Sequence, residues 1–100
     1  MKPFGIRYTP EAAGRIRKLH PDVKKQIRGA IDELVESPFR GHALQRELSG
    51  LRSYRLGKYR IIYRVDDAER TVEILLVGAR RDIYEELRTS LLRERPSGRS

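Results

Sequence analysis

Hydrophobic and polar positions along the first third of the chain predict a strand followed by two helices. The aromatic and β-branched run Phe4–Tyr8 is typical of a short strand. Thr9 and Pro10 are a favourable N-cap and first helical residue, so a helix with one apolar face is expected next. Pro21 disfavours helical backbone in the residue before it and interrupts this helix. A second helix is predicted over Asp22–Glu36, where apolar residues recur at helical spacing, and the tight connection indicates an αα-hairpin.

The second half of the chain is dominated by strands, after a loop that is expected to run to about Gly50. Strands are predicted over Ser53–Leu56, Tyr59–Val65 and Thr71–Val77. Gly57 stands at the first central position between the first two, which suits a two-residue type II′ hairpin. A last helix is expected over about residues 83–93, with Asp82 and Glu85 forming its capping box.

This order of elements, βααβββα, predicts an α+β fold. An N-terminal strand, the αα-hairpin, an antiparallel β-sheet after the helices and a C-terminal helix would share one compact domain. No internal repeat or domain boundary is visible, so residues 1–94 are expected to form a single domain. Residues 95–100 are predicted to be a disordered tail.

Charge changes this picture by indicating what the domain binds. The 100 residues include 22 Lys and Arg against 14 Asp and Glu, a formal net charge of +8. This excess favours a polyanion or an acidic protein as partner. Cysteine is absent, which excludes disulfides and thiolate metal sites. The first residues lack the apolar region of a signal peptide, and the longest apolar run, Ile74–Val77, is too short to span a bilayer, so a cytoplasmic protein is expected.

The predicted hairpin presents a cationic face. If Gly57 and Lys58 form its loop, Arg55 lies opposite Arg60, a repulsive pair that costs up to ~1 kcal/mol. A bound anion would offset this repulsion, and guanidinium groups match phosphate oxygens in a bidentate way. A solvated edge with acidic residues interleaved from elsewhere is the alternative. Alternation puts Tyr54, Leu56, Tyr59, Ile61, Tyr63 and Val65 on the core face, and Arg55, Arg60, Ile62 and Arg64 on the other.

A second pair of cations precedes the last helix. Arg80 and Arg81 lie just past the last strand, where the free N–H groups and dipole of a helix N-terminus favour an anion. Hydrogen bonds from both to nearby carboxylates are the structural alternative. Tyr84 follows in the first turn and is either a packed aromatic or a catalytic group.

Two segments resemble the signatures of a known family. The run Leu48–Asp66, with its Gly57-Lys58-Tyr59-Arg60 core, resembles the central signature of the RelE/ParE toxin superfamily. The segment Val77–Tyr84 resembles its C-terminal signature in the form typical of the RelE branch, the mRNA interferases of type II toxin–antitoxin systems. Together with the opening Tyr8–Ala12, the resemblance covers nearly the whole chain.

The resemblance implies a compact RelE-like toxin fold and a ribosome-dependent endoribonuclease. Such a toxin cleaves translated mRNA in the A site by attack of the 2′-OH on its adjacent phosphorus, and so inhibits translation. It requires no metal or other cofactor. Its partners are the ribosome, mRNA and a cognate antitoxin (RelB-like or Phd/YefM-like) that neutralises it in a toxin–antitoxin hetero-oligomer.

The resemblance also assigns roles to single residues. Arg60 and Arg80 match catalytic arginines that contact the substrate phosphate, and Tyr84 matches the C-terminal catalytic tyrosine, a candidate general base. Arg55 and Ser53 fall where the best-known RelE toxins have two lysines, and arginine is a poor proton donor. The residues expected to be catalytic are Arg60, Arg80, Tyr84 and Arg55, and those expected to bind phosphate are Arg52, Lys58, Arg64 and Arg81.

Two alternative functions and one further candidate for a catalytic residue remain to be considered. A ParE-like inhibitor of DNA gyrase would share the fold without nuclease chemistry, and an inactive relative would only bind its antitoxin. His20 and His42 have no metal-binding spacing. His42 is expected in the loop before the central run, a minor candidate for catalysis.

Overall fold

Seven predicted elements are present in a computed structural model that describes residues 3–79 and 83–94. The predicted disordered tail at residues 95–100 lies outside these residues, as do Arg80, Arg81 and Asp82. The helices and strands, numbered here in chain order, are β1 Gly5–Tyr8, α1 Pro10–Arg17, α2 Pro21–Glu36, β2 His42–Ala43, β3 Arg52–Leu56, β4 Tyr59–Asp66, β5 Thr71–Ala79 and α3 Ile83–Glu94. The α+β class is therefore confirmed.

The five strands form one sheet in the order β1-β5-β4-β3-β2. Strands β3, β4 and β5 pair antiparallel, as expected, and β2, which was not predicted, pairs antiparallel with β3. Strand β1 pairs parallel to β5, so the sheet as a whole is mixed. Two helices separate β1 from the rest of the sheet, and a long helical crossover is the connection that parallel neighbours require. Local alternation carries no information on strand direction, so the sequence left the pairing direction of β1 open.

Each face of the sheet has its own apolar core. Helices α1 and α2 pack on one face, and α3 packs on the other, because neighbouring residues such as Ile61 and Ile62 point to opposite sides of β4. The first core contains Ala12, Ile16, Ile27, Ala30, Ile31, Leu34, Ile61, Tyr63, Val72, Ile74 and Val77, and the second contains Leu48, Leu51, Ile62, Leu76, Ile83 and Leu87. No helix in residues 3–79 or 83–94 combines the length and apolarity needed to cross a bilayer.

The local signals that start α1 and close the β3–β4 hairpin act as predicted. The hydroxyl of Thr9 accepts a hydrogen bond from the amide of Ala12 at 3.1 Å, which caps α1. Gly57 has φ +60° while Lys58 does not have a positive φ, the pattern of a type II′ turn. As a result Arg55 lies opposite Arg60, in the predicted register.

The segment predicted as a loop before Gly50 contains strand β2 and a 3₁₀ turn, Arg46–Leu48. Its start is fixed to the sheet by the buried hydroxyl of Tyr63, which donates to Pro38 O at 2.7 Å and accepts from Gly41 N at 2.9 Å. Gly41 is required here by close approach, since a Cβ would lie 2.7 Å from Ser53 O. β2 is thereby held beside β3, with His42 opposite Ser53.

Candidate active site

The α3 side of the β3–β4 hairpin is polar only near the turn. Arg55 and Arg60 lie on this face, but Ile62, predicted to share a cationic face with them, is fully buried beneath α3. Alternation within β4 does not indicate this cover, because α3 approaches from the far end of the chain. The polar region that remains open is the part of the face towards the turn.

Ser53 connects three elements at the border of this region. Its side chain is fully buried, and its Oγ accepts a hydrogen bond from Arg60 Nη1 at 3.1 Å. The hydroxyl of Tyr84, in the first turn of α3, donates to the same oxygen at 3.2 Å. The guanidinium carbon of Arg60 also lies 5.5 Å from the centre of the Tyr84 ring, within the range of a cation–π contact. Ser53, Arg60 and Tyr84 are called the Ser53 cluster below.

Two cations beside the Ser53 cluster have no protein partner among residues 3–79 and 83–94. Arg55 is exposed opposite Arg60 and makes no hydrogen bond or ion pair with that part of the chain. Lys58 is exposed at the tip of the hairpin and is likewise unpaired there. Interleaved carboxylates, the alternative considered for this face, therefore do not neutralise Arg55 or Lys58 within the described residues. Within the described part of the chain, no carboxylate competes with an anion from solution for either cation.

Arg60 itself is incompletely satisfied. Its Nε is buried and finds no hydrogen-bond partner among the described residues. An unpaired buried donor costs about 1–3 kcal/mol, so the position of Arg60 at the cluster lowers the free energy of unfolding. The same holds for Nε of Arg52, however, so this property alone does not mark a site.

Two of the predicted phosphate ligands are engaged elsewhere. Arg52 lies on the opposite face of β3, where it donates to the carbonyls of Phe39 at 3.0 Å and Gly41 at 2.7 Å. Arg64 pairs with Glu73 on β5 through a short ion pair. These contacts give Arg52 and Arg64 structural partners, and the structure does not bring them to the Ser53 cluster. Arg80 and Arg81, also predicted for the site, lie outside the described residues.

His42 lies closer to the Ser53 cluster than its predicted loop position indicated. It lies opposite Ser53 in the β2–β3 register, and partners in an antiparallel pair point to the same face. Its side chain is exposed. A two-residue strand leaves no periodic signal, so only the PFRGH spacing before the central run could have suggested its place.

Helix α3 brings Tyr84 to the sheet through one apolar contact surface and two ion pairs. Ile83 and Leu87 are fully buried in the second core. Arg88 Nε contacts Glu47 Oε2 at 3.0 Å and Arg15 Nη2 contacts Glu86 Oε1 at 2.7 Å. A hydrogen bond from its own backbone and the nearby guanidinium of Arg88 lower the pKa of Glu47.

The region beside the Ser53 cluster, with the exposed Arg55 and Lys58, is an open surface rather than an enclosed cavity. A cleft of about 420 Å³ between α1 and α3 shares no lining residue with it, nor does a cavity of about 270 Å³ beside α1 and α2. Among the residues with described side chains, no three His, Asp or Glu converge in a way that could hold a metal ion. An open, cationic surface with a buried hydroxyl at its edge fits an extended polyanion better than a small enclosed ligand.

Comparison with known proteins places these features in a family. Residues 6–84 match the family model described as "ParE toxin of type II toxin-antitoxin system, parDE". Two Mycobacterium tuberculosis proteins are similar over 84 residues, 82% of this chain: Toxin RelG at 42% identity, covering 97% of its length, and Toxin RelE at 31%, covering 87%. The toxin–antitoxin complex RelBE2 from the same organism has a chain of 40% identity and TM-score 0.74, matched over 80% of this chain and 94% of that one.

Proposed function

The chain belongs to the RelE/ParE superfamily of type II toxins, and we propose that it is a ribosome-dependent endoribonuclease that cleaves translated mRNA in the A site. The observation that carries this proposal is the Ser53 cluster, in which a cation and a phenol share one buried hydroxyl. Arg55 lies beside it and has no partner within residues 3–79 and 83–94. Cleavage of this kind inhibits translation, which is the action expected of a RelE-type toxin.

Arginines suit the charge that develops during RNA cleavage. Attack of the 2′-oxygen on phosphorus places additional negative charge on the phosphoryl oxygens, and prepositioned cations stabilise that state more than the ground state. Arg60 is prepositioned by its hydrogen bond to Ser53 and by the ring of Tyr84. Arg55 would supply a second guanidinium from the opposite strand, and Lys58 a more distant cation.

Tyr84 is the proposed general base. In the structure its hydroxyl donates to Ser53 Oγ, which holds the phenol group at the cluster. As phenolate its oxygen would take the proton of the 2′-OH, and the Ser53 hydroxyl would then donate to it. Ser53 stands where the best-known RelE toxins have lysine, and its proposed role here is to orient Arg60 and Tyr84 rather than to transfer a proton. By the family resemblance, Arg80 and Arg81 would add further phosphate contacts.

The proposed partners follow from charge and family. A chain with net charge +8 is suited to the ribosome and mRNA, and also to an acidic antitoxin. We expect an amphipathic, acidic antitoxin segment that folds on binding and covers or distorts the Ser53 cluster in a hetero-oligomer. Similar solved structures include toxin–antitoxin complexes of relatives.

Primer extension on an mRNA under translation in a cell-free system tests the proposal. Wild-type protein should produce cuts within codons that require ribosomes, and Arg60→Ala should abolish them. Arg64→Ala is the matched control, because it removes an arginine from the same strand and face that is already paired with Glu73. Intact mRNA and undisturbed translation with folded wild-type protein would contradict the proposal.

Inhibition of DNA gyrase is the second candidate function, because the matching family model is described as a ParE toxin. A ParE-like protein would stall DNA gyrase on DNA and leave mRNA intact, and the same samples can be assayed for gyrase–DNA complexes. If neither target responds and overexpression is harmless, the chain is an inactive family member that only binds its antitoxin.

A further inference from the structure

The proposed reaction lacks a proton donor for the leaving 5′-oxygen. Arg55, Arg60 and, by the family resemblance, Arg80 carry guanidinium groups, which are poor proton donors. Tyr84 is assigned to the 2′-OH. Resting on the proposed function, we propose that His42 is the general acid that protonates the 5′-oxygen as the RNA strand breaks.

The register of β2 carries this assignment. His42 is the cross-strand partner of Ser53, and directly opposed side chains have Cβ atoms roughly 4.5–5.5 Å apart. A phosphate held beside the Ser53 cluster would therefore lie within reach of the imidazole. The hydroxyl of Tyr84 and Nη1 of Arg60 meet the same Ser53 oxygen. His42 thus neighbours Ser53 from β2, and Tyr84 contacts it from α3, so the proposed acid and base come from two different elements.

The backbone of His42 is fixed although its side chain is free. Gly41 N donates to the buried hydroxyl of Tyr63, Ala43 pairs with Arg52, and Leu44 N donates to Leu51 O at 2.9 Å. The imidazole itself is exposed and forms no ion pair within the described residues. A fixed backbone with an accessible side chain is what a group that meets a large substrate needs.

His42 suits this role better than the other candidates near the hairpin. Imidazole is the side chain that exchanges a proton most readily near neutral pH. Lys58 lies at the hairpin tip, beyond the Arg55–Arg60 pair and away from Ser53. The other histidine, His20, caps α2 by accepting from Asp22 N at 3.2 Å, and α2 packs on the opposite face of the sheet.

The proposed step balances in protons and bonds. The Tyr84 oxygen, as phenolate, takes the 2′-OH proton while the 2′-oxygen forms a bond to phosphorus. The bond from phosphorus to the 5′-oxygen breaks, and that oxygen takes the proton of the protonated His42 imidazole. The products are a 2′,3′-cyclic phosphate and a 5′-OH, with neutral imidazole and phenol left on the protein.

A synthetic mRNA with sulfur in place of the scissile 5′-oxygen tests the assignment, because a thiolate leaves without needing a proton. On the normal mRNA, His42→Ala and His42→Gln should slow ribosome-dependent cleavage by about 10²–10³-fold. On the sulfur mRNA the same variants should cleave within tenfold of the wild type. His20→Asn is the control, since asparagine preserves a helix cap, and it should cleave both mRNAs at the wild-type rate.

The outcomes separate this inference from the proposed function. If Arg60→Ala abolishes cleavage while His42→Ala cleaves normal mRNA at the wild-type rate, His42 is not the acid and the nuclease function stands. An equal loss on both mRNAs in the His42 variants also overturns the assignment, because it indicates a role other than protonation of the leaving group. Failure of the folded wild type to cleave any mRNA overturns both proposals.

Discussion

At the scale of residues, the central feature is a serine hydroxyl that receives two donors. Ser53 is fully buried and its oxygen meets Arg60 and Tyr84, which come from different elements. The resemblance predicted Arg60 and Tyr84 for the site and marked Ser53 only as a departure from lysine. In the structure Ser53 contacts both of these residues through its hydroxyl, which is the basis of its proposed orienting role.

Removing only the Tyr84 hydroxyl should separate chemistry from folding. Tyr84→Phe keeps the ring beneath Arg60 but removes the proposed base, so cleavage should fall by about 10²–10⁴-fold. The free energy of unfolding should change by about 1 kcal/mol or less, because the lost hydrogen bond is only partly buried. Cleavage assays and urea denaturation measure the two effects.

Tyr54→Phe is the matched control for this substitution. Its hydroxyl donates to Glu33 at 3.2 Å and it belongs to the opposite face of β3. It should cleave mRNA at the wild-type rate. Equal losses in the two variants would contradict the base assignment.

At the scale of elements, local sequence patterns predicted the caps and turns that neighbouring residues form. They missed the pairing and burial that depend on residues far away in the chain. The Thr9 cap and the Gly57 turn are encoded within a few residues, and both were predicted correctly. Strand β2 has two residues and forms only because Tyr63 and Arg52 bind the segment before it. The parallel position of β1 depends on a crossover of two helices. The burial of Ile62 depends on α3, which no alternation within β4 can indicate.

The two hydrogen bonds between the Tyr63 hydroxyl and the segment before β2 should contribute strongly to stability. Tyr63→Phe leaves the carbonyl of Pro38 and the amide of Gly41 without their buried partner. We expect the free energy of unfolding to fall by about 2–3 kcal/mol, from the cost of unsatisfied buried groups. Chemical denaturation measures it, and a loss below half a kcal/mol would show that water replaces the hydroxyl.

The ion pair between the 3₁₀ turn and α3 should make the attachment of α3 depend on pH. The pKa of Glu47 is lowered, by a hydrogen bond from its backbone first and by Arg88 second. A lowered carboxyl pKa contributes stability above the unfolded pKa, and this is lost as pH falls through the folded value. Hydrogen-exchange protection factors in α3 should therefore decrease below the usual titration range of glutamate.

Glu47→Gln provides the comparison for this pH effect. It removes the titrating group while keeping a side chain of similar size next to Arg88. Its α3 protection factors should lack the acid-dependent step of the wild type. A step of the same size in both proteins would assign the effect to another carboxyl group.

At the scale of the whole molecule, only some of the cations behind the net charge of +8 can contact an anionic partner. Several arginines are neutralised by partners within the fold, among them Arg7 and Arg64 at Glu73 and Arg40 at Glu33. Arg55 at the hairpin has no such partner within the described residues. Composition predicted an anionic partner, but only the three-dimensional arrangement separates the cations that can meet one from those already paired.

This difference should appear in the salt dependence of RNA binding. Each phosphate contact on a single strand contributes about −0.7 to the slope of log affinity against log salt. Arg55→Gln should therefore make the slope for a single-stranded RNA less steep by roughly that amount. Arg64→Gln should leave it within error of the wild type, because Arg64 is paired with Glu73. Identical slopes for the wild type and Arg55→Gln would remove Arg55 from the proposed site.

The most direct test of the central claim is one 2′-deoxy substitution at the cleaved nucleotide of an mRNA held in the A site. The account predicts ribosome-dependent cleavage of the all-ribose mRNA, with the new 3′ end as a cyclic phosphate, and no cleavage of the 2′-deoxy mRNA. Equal cleavage of both would mean that water or another nucleophile attacks the phosphorus. Cleavage of neither, by folded protein on programmed ribosomes, would contradict the assignment of this chain as an mRNA endonuclease.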